Sequence, residues 1–568
     1  MKTLDFSFLR QQILGVDASL RTPFGVRPQV YCDYTASGRS LRFVEEYLQR
    51  VQCHYANTHT EDDMTGRYTT RLLHQAEQVI KAAVNAGENG RIIACGTGST
   101  GAIDKMQQLI GVALAPATRQ ALLGFLDGCL GHDGRCRFEE FQDRHQPVVF
   151  VGPYEHHSNE VTWREGLATV VEVELDASGA INLAHLESLL DDARYQGRLR
   201  IGSFSAASNV TGLRTPVHDI ARLLHRHGAL AFFDYAACAP YVEIDMNPPS
   251  GAGDGDGSLD AIFISPHKFL GGPGSSGILV FNERLYNREL APSVGGGGTV
   301  DYVGLDDHDF VRDIEEREKA GTPGILQTMK AALAFAVKTA VGVEAIERRE
   351  SALTRKAFDQ WAGSNIEILG HRDPDLRVSI ISFNVKDPRG AYLHPKFVTT
   401  LLNDLFGIQS RAGCSCAGPY GHRLLNIDRE LSHEYRHWIA RGYSGIKPGW
   451  CRLGFHYVMD DAEAQYVIDA VDFVGEFGHL FLSLYEFDLA TGAWTHRDFR
   501  DTPPEFSLAE ALAAGDATDE PLSAEQRAKI YHRCLQEARA LARQLNRTSA
   551  PESARLEGKL GELQFFSM

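Results

Sequence analysis

Between about residues 90 and 285, short apolar runs alternate with amphipathic stretches. The runs RIIAC (91–95), PVVFVG (147–152), TVVEVEL (169–175), RIGSFSA (200–206), ALAFFD (229–234), AIFIS (261–265) and GILVF (277–281) read as strands. They are rich in β-branched and aromatic residues and several are bounded by turn formers. LAHLESLLDDARYQ (183–196) and VHDIARLLHRHG (217–228) place apolar residues at helical spacing. Strands that are apolar throughout and separated by helices form mostly parallel sheets covered on both faces. The link between the last two runs is too short for a crossover helix, so one of them is expected to run antiparallel.

Gly-rich SVGGGGTVDYV (293–303) and KAGTPGILQ (319–327) lead out of this region into a long helical pattern over about 325–360. A strand at 377–385 and a helix at 395–406 then indicate a smaller α/β domain. Beyond about 485 a polar connector precedes a helical segment at 523–546, opened by a Ser-x-x-Gln capping pattern. The predicted organisation has four parts. Residues 1–40 form an N-terminal segment packing with the small domain, 41–325 a large domain with a mostly parallel seven-stranded sheet, 326–485 the small domain, and 486–568 a helical extension without an assigned role.

Length of 568 residues also calls for more than one domain. A hydrophobic share of 43% with 23% charged residues is ordinary for a globular chain. A net charge of −17 argues against a general binder of nucleic acid or anionic membrane. No apolar run approaches the roughly 20 residues of a membrane span, and MKTLDFSFLRQQILGV lacks a signal-peptide core, so a cytoplasmic enzyme is expected. Ten scattered cysteines do not resemble a disulfide framework.

Four stretches carry candidate chemistry. In SPHK (265–268) a lysine follows a buried strand; it is either an exposed loop charge or an amine able to form a Schiff base with an aldehyde cofactor. Asp234 ends the preceding strand and is either a helix cap or the partner of a protonated pyridine nitrogen, as in pyridoxal 5'-phosphate (PLP). ACGTGSTGAI (94–103) is a strand, a Gly-rich turn and a helix start, suited to a phosphate at Gly98, Ser99 and Thr100 although it is neither a GxGxxG fingerprint nor a Walker A loop. YEHHSNEVTW (154–163) offers a histidine that stacks on such a ring or is an ordinary hydrogen-bonded residue.

Taken in this order, and with YCDYTASGR (31–39), SNVTG (208–212), AGTP (320–323), RAGCSC (411–416) and RLGFHYV (452–458), these stretches resemble the class V aminotransferase family of fold-type I PLP enzymes. Within it they are most similar to the cysteine desulfurase/selenocysteine lyase branch, over about residues 28–475. The resemblance implies Lys268 as the Schiff-base lysine, Asp234 as the pyridinium partner and His156 as the ring-stacking histidine. It implies Ser99, Thr100, Ser265 and His267 around the phosphate, with Thr322 serving the adjoining subunit of a homodimer. Asn209 matches a residue near the cofactor and substrate, His59 a substrate-side histidine, and Arg452 the arginine that grips the substrate carboxylate. Ala237 stands where the family usually has Gln or His.

The loop RAGCSCAGPYGHRLL (411–425) holds two cysteines and is rich in turn formers, so it reads as a loop throughout. In the desulfurase branch a persulfide-forming cysteine follows an arginine by five residues, which assigns Arg411 to the substrate side and Cys416 to the nucleophile. Arg411 is expected to raise the thiolate fraction of Cys416. The implied reaction converts L-cysteine to L-alanine with a persulfide on Cys416, for onward delivery to an acceptor protein. Other readings stand beside it: a PLP lyase, epimerase or aminotransferase that forms no persulfide, a zinc site from Cys414, Cys416, His422 and Cys451 with poor ligand spacing, and a non-catalytic binding protein. No metal is assigned.

Overall fold

The computed structural model describes residues 4–58, 60, 62–249, 255–500, 522–548 and 554–568. Ala36–Glu347 and Leu376–Val378 form one compact unit; Asp5–Thr35, Arg348–Asp375 and Ser379–Met568 form a second.

In the first unit, all seven apolar runs are strands of one sheet. They are β1 (Gly90–Ala94), β2 (Val148–Val151), β3 (Thr169–Glu172), β4 (Arg200–Ser205), β5 (Leu230–Asp234), β6 (Ala261–Ile264) and β7 (Ile278–Asn282). The spatial order is β1-β7-β6-β5-β4-β2-β3. Strands β2 to β6 pair in parallel, and β7 runs antiparallel to both β6 and β1. The short link between β6 and β7 has the consequence expected of it. Since two reversals cancel, β1 points the same way as β6, and its carboxyl end lies on the same sheet edge as theirs.

Helix α1 (Ser99–Leu109) buries Ala102, Ile103 and Met106 against Ile93, Val149, Phe232, Phe263 and Leu279 of the sheet. Helix α2 (Val217–Arg226) turns Ile220, Ala221, Leu223 and Leu224 inward at helical spacing. The long pattern at 325–360 is two helices, α3 (Ile325–Val341) and α4 (Val343–Trp361), separated by Gly342 at φ 89. That dihedral suits glycine and ends a helix. A 30-residue helical stretch, Pro116–His145, kinks at Gly131 and leaves Leu122, Phe125, Leu130, Phe138 and Phe141 exposed.

The second unit holds a four-stranded antiparallel sheet of β8 (Ile366–Ile368), β9 (Ile381–Val385), β10 (Arg411–Gly413) and β11 (Trp450–Leu453), in the order β8-β9-β11-β10. Helices α5 (Pro395–Phe406) and α6 (Asp461–Phe477) pack together, and α7 (Ala524–Thr548) packs on both. The chain after 485 also contains a hairpin, Tyr485–Asp488 with Ala493–His496, and a terminal strand, Phe566–Ser567, parallel to Tyr392–Leu393. The polar connector read from sequence lies largely outside the described residues.

Ionic and aromatic contacts hold α7 in place. Arg527 meets Asp460 at 2.5 Å, Glu537 meets Arg27 at 3.1 Å, and Tyr531 stacks on Tyr466 with centroids 4.4 Å apart. Tyr531 is 5% exposed. Tyr531→Ala should therefore destabilise the second unit by about 3–5 kcal/mol, the usual cost of deleting a buried aromatic. A lowered urea midpoint with unchanged activity of the surviving folded fraction is the expected result. Among the described residues no helix is long and apolar enough to cross a membrane.

Candidate active site

The carboxyl ends of β1, β2, β4, β5 and β6 converge on a cavity of about 230 Å³ in the first unit. Open α/β sheets bind ligands at this edge. Ser99, Thr100, His156, Asn209, Asp234, Ser265, His267 and Lys268 all line it. The structure thus brings eight sequence-selected residues, from five separate strand ends, into one place. Thr322 is not among the lining residues; its Oγ1 accepts a hydrogen bond from Asn57 Nδ2 at 3.1 Å. His59 lies outside the described residues.

Lys268 ends a single 3-10 turn, Pro266–Lys268, held by Lys268 N–H donating to Ser265 O at 3.0 Å. Gly272 must be glycine here, because a Cβ would fall 1.8 Å from the Pro266 carbonyl oxygen. From the other side, Gly38 N–H donates to His267 O at 2.9 Å. The lysine backbone is thus fixed while its side chain stays half-buried in the cavity. Asp234, 3% exposed, is held above the usual carboxylate range by burial; the N–H of Ala236 at 2.9 Å, the Lys268 charge and Ser99 act against that shift.

The N-terminus of α1 also lines the cavity and brings to it the positive end of the helix dipole. Ser99 N–H already donates to Ser265 Oγ at 2.8 Å, which ties the two phosphate-side loops together. A Cβ on Gly98 would come within 2.9 Å of His267 Cε1 and 3.0 Å of Ser265 Oγ, so a larger residue there would displace both side chains. His267 Nδ1 bonds Thr97 O at 2.8 Å, and burial followed by the Lys268 charge holds its pKa below the ordinary histidine value. The Ser158 hydroxyl lies 2.7 Å from Thr100 Oγ1 and 3.0 Å from His156 Nδ1, linking the anion cradle to the histidine.

This donor set fits PLP. A helix N-terminus with the hydroxyls of Ser99, Thr100 and Ser265 suits a phosphate, a buried carboxylate suits a pyridinium, and Lys268 supplies the amine. Ala236 and Ala237 line the remaining wall, so no Gln or His donor stands at 237.

Sequence reasoning passed over Glu155, which anchors the loop bearing His156. Its carboxylate, 2% exposed, accepts from Gly152 N–H (3.2 Å), Asn159 Nδ2 (2.8 Å), Ser205 N–H (3.0 Å) and Ser205 Oγ (2.6 Å). Burial pushes its pKa up to about 7, against the pull of those hydrogen bonds. Asn159 Oδ1 is in turn fixed by Trp163 Nε1 at 3.1 Å and Ser203 Oγ at 2.6 Å. Its position immediately before His156 is the one signal in the sequence that pointed to it.

The second unit assembles the remaining candidates. The stretch 411–425 is not a loop throughout: 411–413 is β10 and Gly418–Leu424 is helical. Antiparallel pairing with β11 supplies hydrogen bonds that composition did not foretell. Between β10 and that helical segment, Cys414–Ala417 is a turn, closed by Ala417 N–H to Cys414 O at 3.1 Å, with Ser415 and Cys416 at φ 50 and 56. Two non-glycine residues in the left-handed region cost about 1–2 kcal/mol each. The turn leaves Cys416 exposed and Cys414 half-buried. By contrast, burial pushes the thiols of Cys95, Cys238 and Cys451 up to about 12.

Arg411 and Arg452 are directly opposed across β10 and β11. Both reach Asp33, Arg411 Nε at 3.0 Å and Arg452 Nη2 at 3.1 Å. Arg411 is therefore engaged by a carboxylate and is not a lone charge beside the thiol. Arg452 is 3% exposed; burial pulls it below the ordinary guanidinium value and Arg411 adds to this, whereas Asp33 and Cys416 act the other way. The Cys414, Cys416, His422 and Cys451 quartet forms no ligand cluster among the described residues. The one group with such geometry there, His74, Glu77 and Glu316, already holds the Lys319 ammonium, 2.7 Å from Glu77 and 2.9 Å from Glu316.

The aminotransferase class-V family model matches residues 141–467, more than half of the chain. The chain belongs to the class-V aminotransferase family. Membership makes it a PLP-dependent enzyme, and the cavity described above accommodates that cofactor's functional groups. A probable cysteine desulfurase of Halalkalibacterium halodurans is 27% identical over 400 residues, covering 69% of this chain and 85% of the relative. A second, from Halobacterium salinarum, is 31% identical over 287 residues, covering 49% and 63%. Among solved structures, the apo cysteine desulfurase of Thermococcus onnurineus NA1 matches with a TM-score of 0.62 at 20% identity, over 83% of this chain and 98% of that one. Cysteine desulfurase CsdA of Escherichia coli gives 0.60 at 21%, with the same coverage. The class-V enzyme thus has the fold of these proteins, fold-type I.

Proposed function

We propose that this class-V enzyme is a cysteine desulfurase, converting L-cysteine to L-alanine and leaving the sulfur as a persulfide on Cys416. The observation that carries the reading furthest is the strained turn that exposes Cys416 five residues after Arg411, in a chain similar to several probable cysteine desulfurases.

PLP, when bound, supplies an aldehyde that reacts with amines and a ring that stores electrons released at the substrate α-carbon. In this reading Lys268 Nζ takes and returns protons at the substrate carbons, and Asp234 keeps a proton on the ring nitrogen. Ser99, Thr100, Ser265 and His267 hold the phosphate, His156 stacks on the ring, and Asn209 faces the cofactor and substrate. Arg452 grips the substrate carboxylate, with a guanidinium whose planar fork matches that group. The Cys416 thiolate attacks the substrate sulfur: an S–S bond forms, the substrate C–S bond breaks with its electron pair retained on carbon, and a proton completes alanine. The persulfide then passes to an external thiol or an acceptor protein. A homodimer with Thr322 serving the partner's phosphate, and a substrate-side role for His59, belong to the same proposal.

Incubation with L-cysteine and a thiol reductant tests it. Alanine and sulfide in equal amounts are expected; pyruvate with ammonia would replace desulfuration by β-elimination, and no reaction with cysteine would discard the assignment.

A further inference from the structure

Lys338 of α3 is 6% exposed and takes no part in the proposed reaction, yet burying an ammonium is costly unless it is well bonded. No carboxylate among the described residues bonds it. Its Nζ donates instead to two backbone carbonyls, Ala239 O at 2.7 Å and Val242 O. It also lies over the Phe269 ring, 5.8 Å from the centroid. Phe335, one turn earlier on α3, packs on the same ring with centroids 4.7 Å apart. Burial pulls the pKa of Lys338 down to about 8, so the ammonium form still prevails at neutral pH.

Both sets of contacts lead to the cavity of the first unit. Ala239 and Val242 belong to the turn that follows β5, where Ala239 N–H donates to Tyr235 O at 2.8 Å and Val242 N–H to Cys238 O at 3.2 Å. At the start of that turn Ala236 N–H donates to Asp234 Oδ1 at 2.9 Å, and Ala236 and Ala237 line the cavity. Carbonyls at the end of such a turn have no partner within it, and Lys338 donates to two of them. Phe269 directly follows Lys268, and its N–H donates to Pro266 O at 3.0 Å, closing the turn that carries the lysine. One side chain of α3 therefore ties the turn behind Asp234 to the residue beside Lys268. We infer that Lys338 is a positioning residue, which holds these two turns together and so sets the carboxylate and the amine at the spacing the cofactor needs. The inference rests on the reading of Asp234 and Lys268 as the groups that meet the ring nitrogen and the aldehyde.

The test compares the holoenzyme with Lys338→Met, which keeps the apolar stem of the side chain and removes its donors and charge. Two signals of the bound cofactor are read: the visible-region ellipticity per bound PLP, which reports how the ring is fixed, and the rate at which PLP is lost on dilution. Lys338→Met should lower the ellipticity and speed the loss of PLP about tenfold, because two buried carbonyls beside the site lose their donor. Phe269→Leu leaves both hydrogen bonds of Lys338 in place and should move the two signals in the same direction by less. A Lys338 that serves stability alone would lower the urea midpoint of Lys338→Met with both cofactor signals at wild-type values, and that result would overturn the inference. Where Lys338→Met fails to fold, wild-type signals in Phe269→Leu would overturn it. Asp234→Asn separates the two levels. Unaltered loss of PLP in that variant would overturn the reading of Asp234 together with the inference, whereas faster loss there with wild-type signals in Lys338→Met would overturn the inference alone.

Discussion

Lys268→Ala is expected to remove the near-visible absorbance of the cofactor-loaded enzyme and to lower turnover of any amino acid by about 10²–10⁴-fold, the usual worth of a positioned acid–base group. The lysine sits on a turn fixed by Ser265, Gly38 and Gly272, so its amine is held at the carboxyl end of β6 by the backbone. Its side chain is half-buried and lines the cavity, so truncation should leave the sheet folded. Lys268→Arg makes the result specific. It preserves the positive charge next to Asp234 but cannot give up its proton near neutral pH, and should be as inactive as the alanine variant. Retained absorbance and turnover in either variant would place the reactive amine elsewhere.

The second large effect is at the turn. Cys416→Ala should reduce sulfide and alanine formation from L-cysteine by about 10²-fold or more, because the attacking sulfur is then absent. Cys414→Ala should retain most of the activity: Cys414 opens the turn and is half-buried, whereas Cys416 is exposed. Equal losses in both variants would instead make the thiols act as a pair. The buried thiols of Cys238 and Cys451 are poor substitutes, since burial holds them protonated near neutral pH.

Much of the architecture was legible because burial on both faces leaves a strand continuously apolar. Six of the seven runs of the large sheet could be read this way, down to the antiparallel β7, while β3 at the sheet edge is only half-buried and was marked by its β-branched residues. Pro395–Phe406 matches the helix expected at 395–406, since its apolar face points inward at helical spacing. Pro116–His145 went unnoticed for the opposite reason: nearly all of it is solvent-exposed, with Gly134 its one buried residue, so no core-facing stripe marks it. The strand at Arg411–Gly413 was hidden as well, because its pairing partner Trp450–Leu453 is some 40 residues away and the Gly, Ser and Pro around it read as turn formers.

The candidate site divides in the same way. Residues with a distinctive type at a strand end, such as Asp234 and Lys268, stood out from local sequence. Those whose role comes from tertiary partners did not. Asp33 acquires its place from two arginines 378 and 419 residues downstream, and Glu155 from Ser205 and Asn159. The same contacts revise the expectation for Arg411, whose charge is shared with Asp33 and is not directed at Cys416 alone.

The most direct test of desulfuration on Cys416 is a single turnover of the cofactor-loaded enzyme with L-cysteine, without reductant, followed by peptide mass mapping. The expected result is the mass of one added sulfur atom on the peptide bearing Cys416, retained in Cys414→Ala and absent in Cys416→Ala, with one alanine released per site. Alanine release with no sulfur on that peptide, or added sulfur that persists in Cys416→Ala, would contradict it.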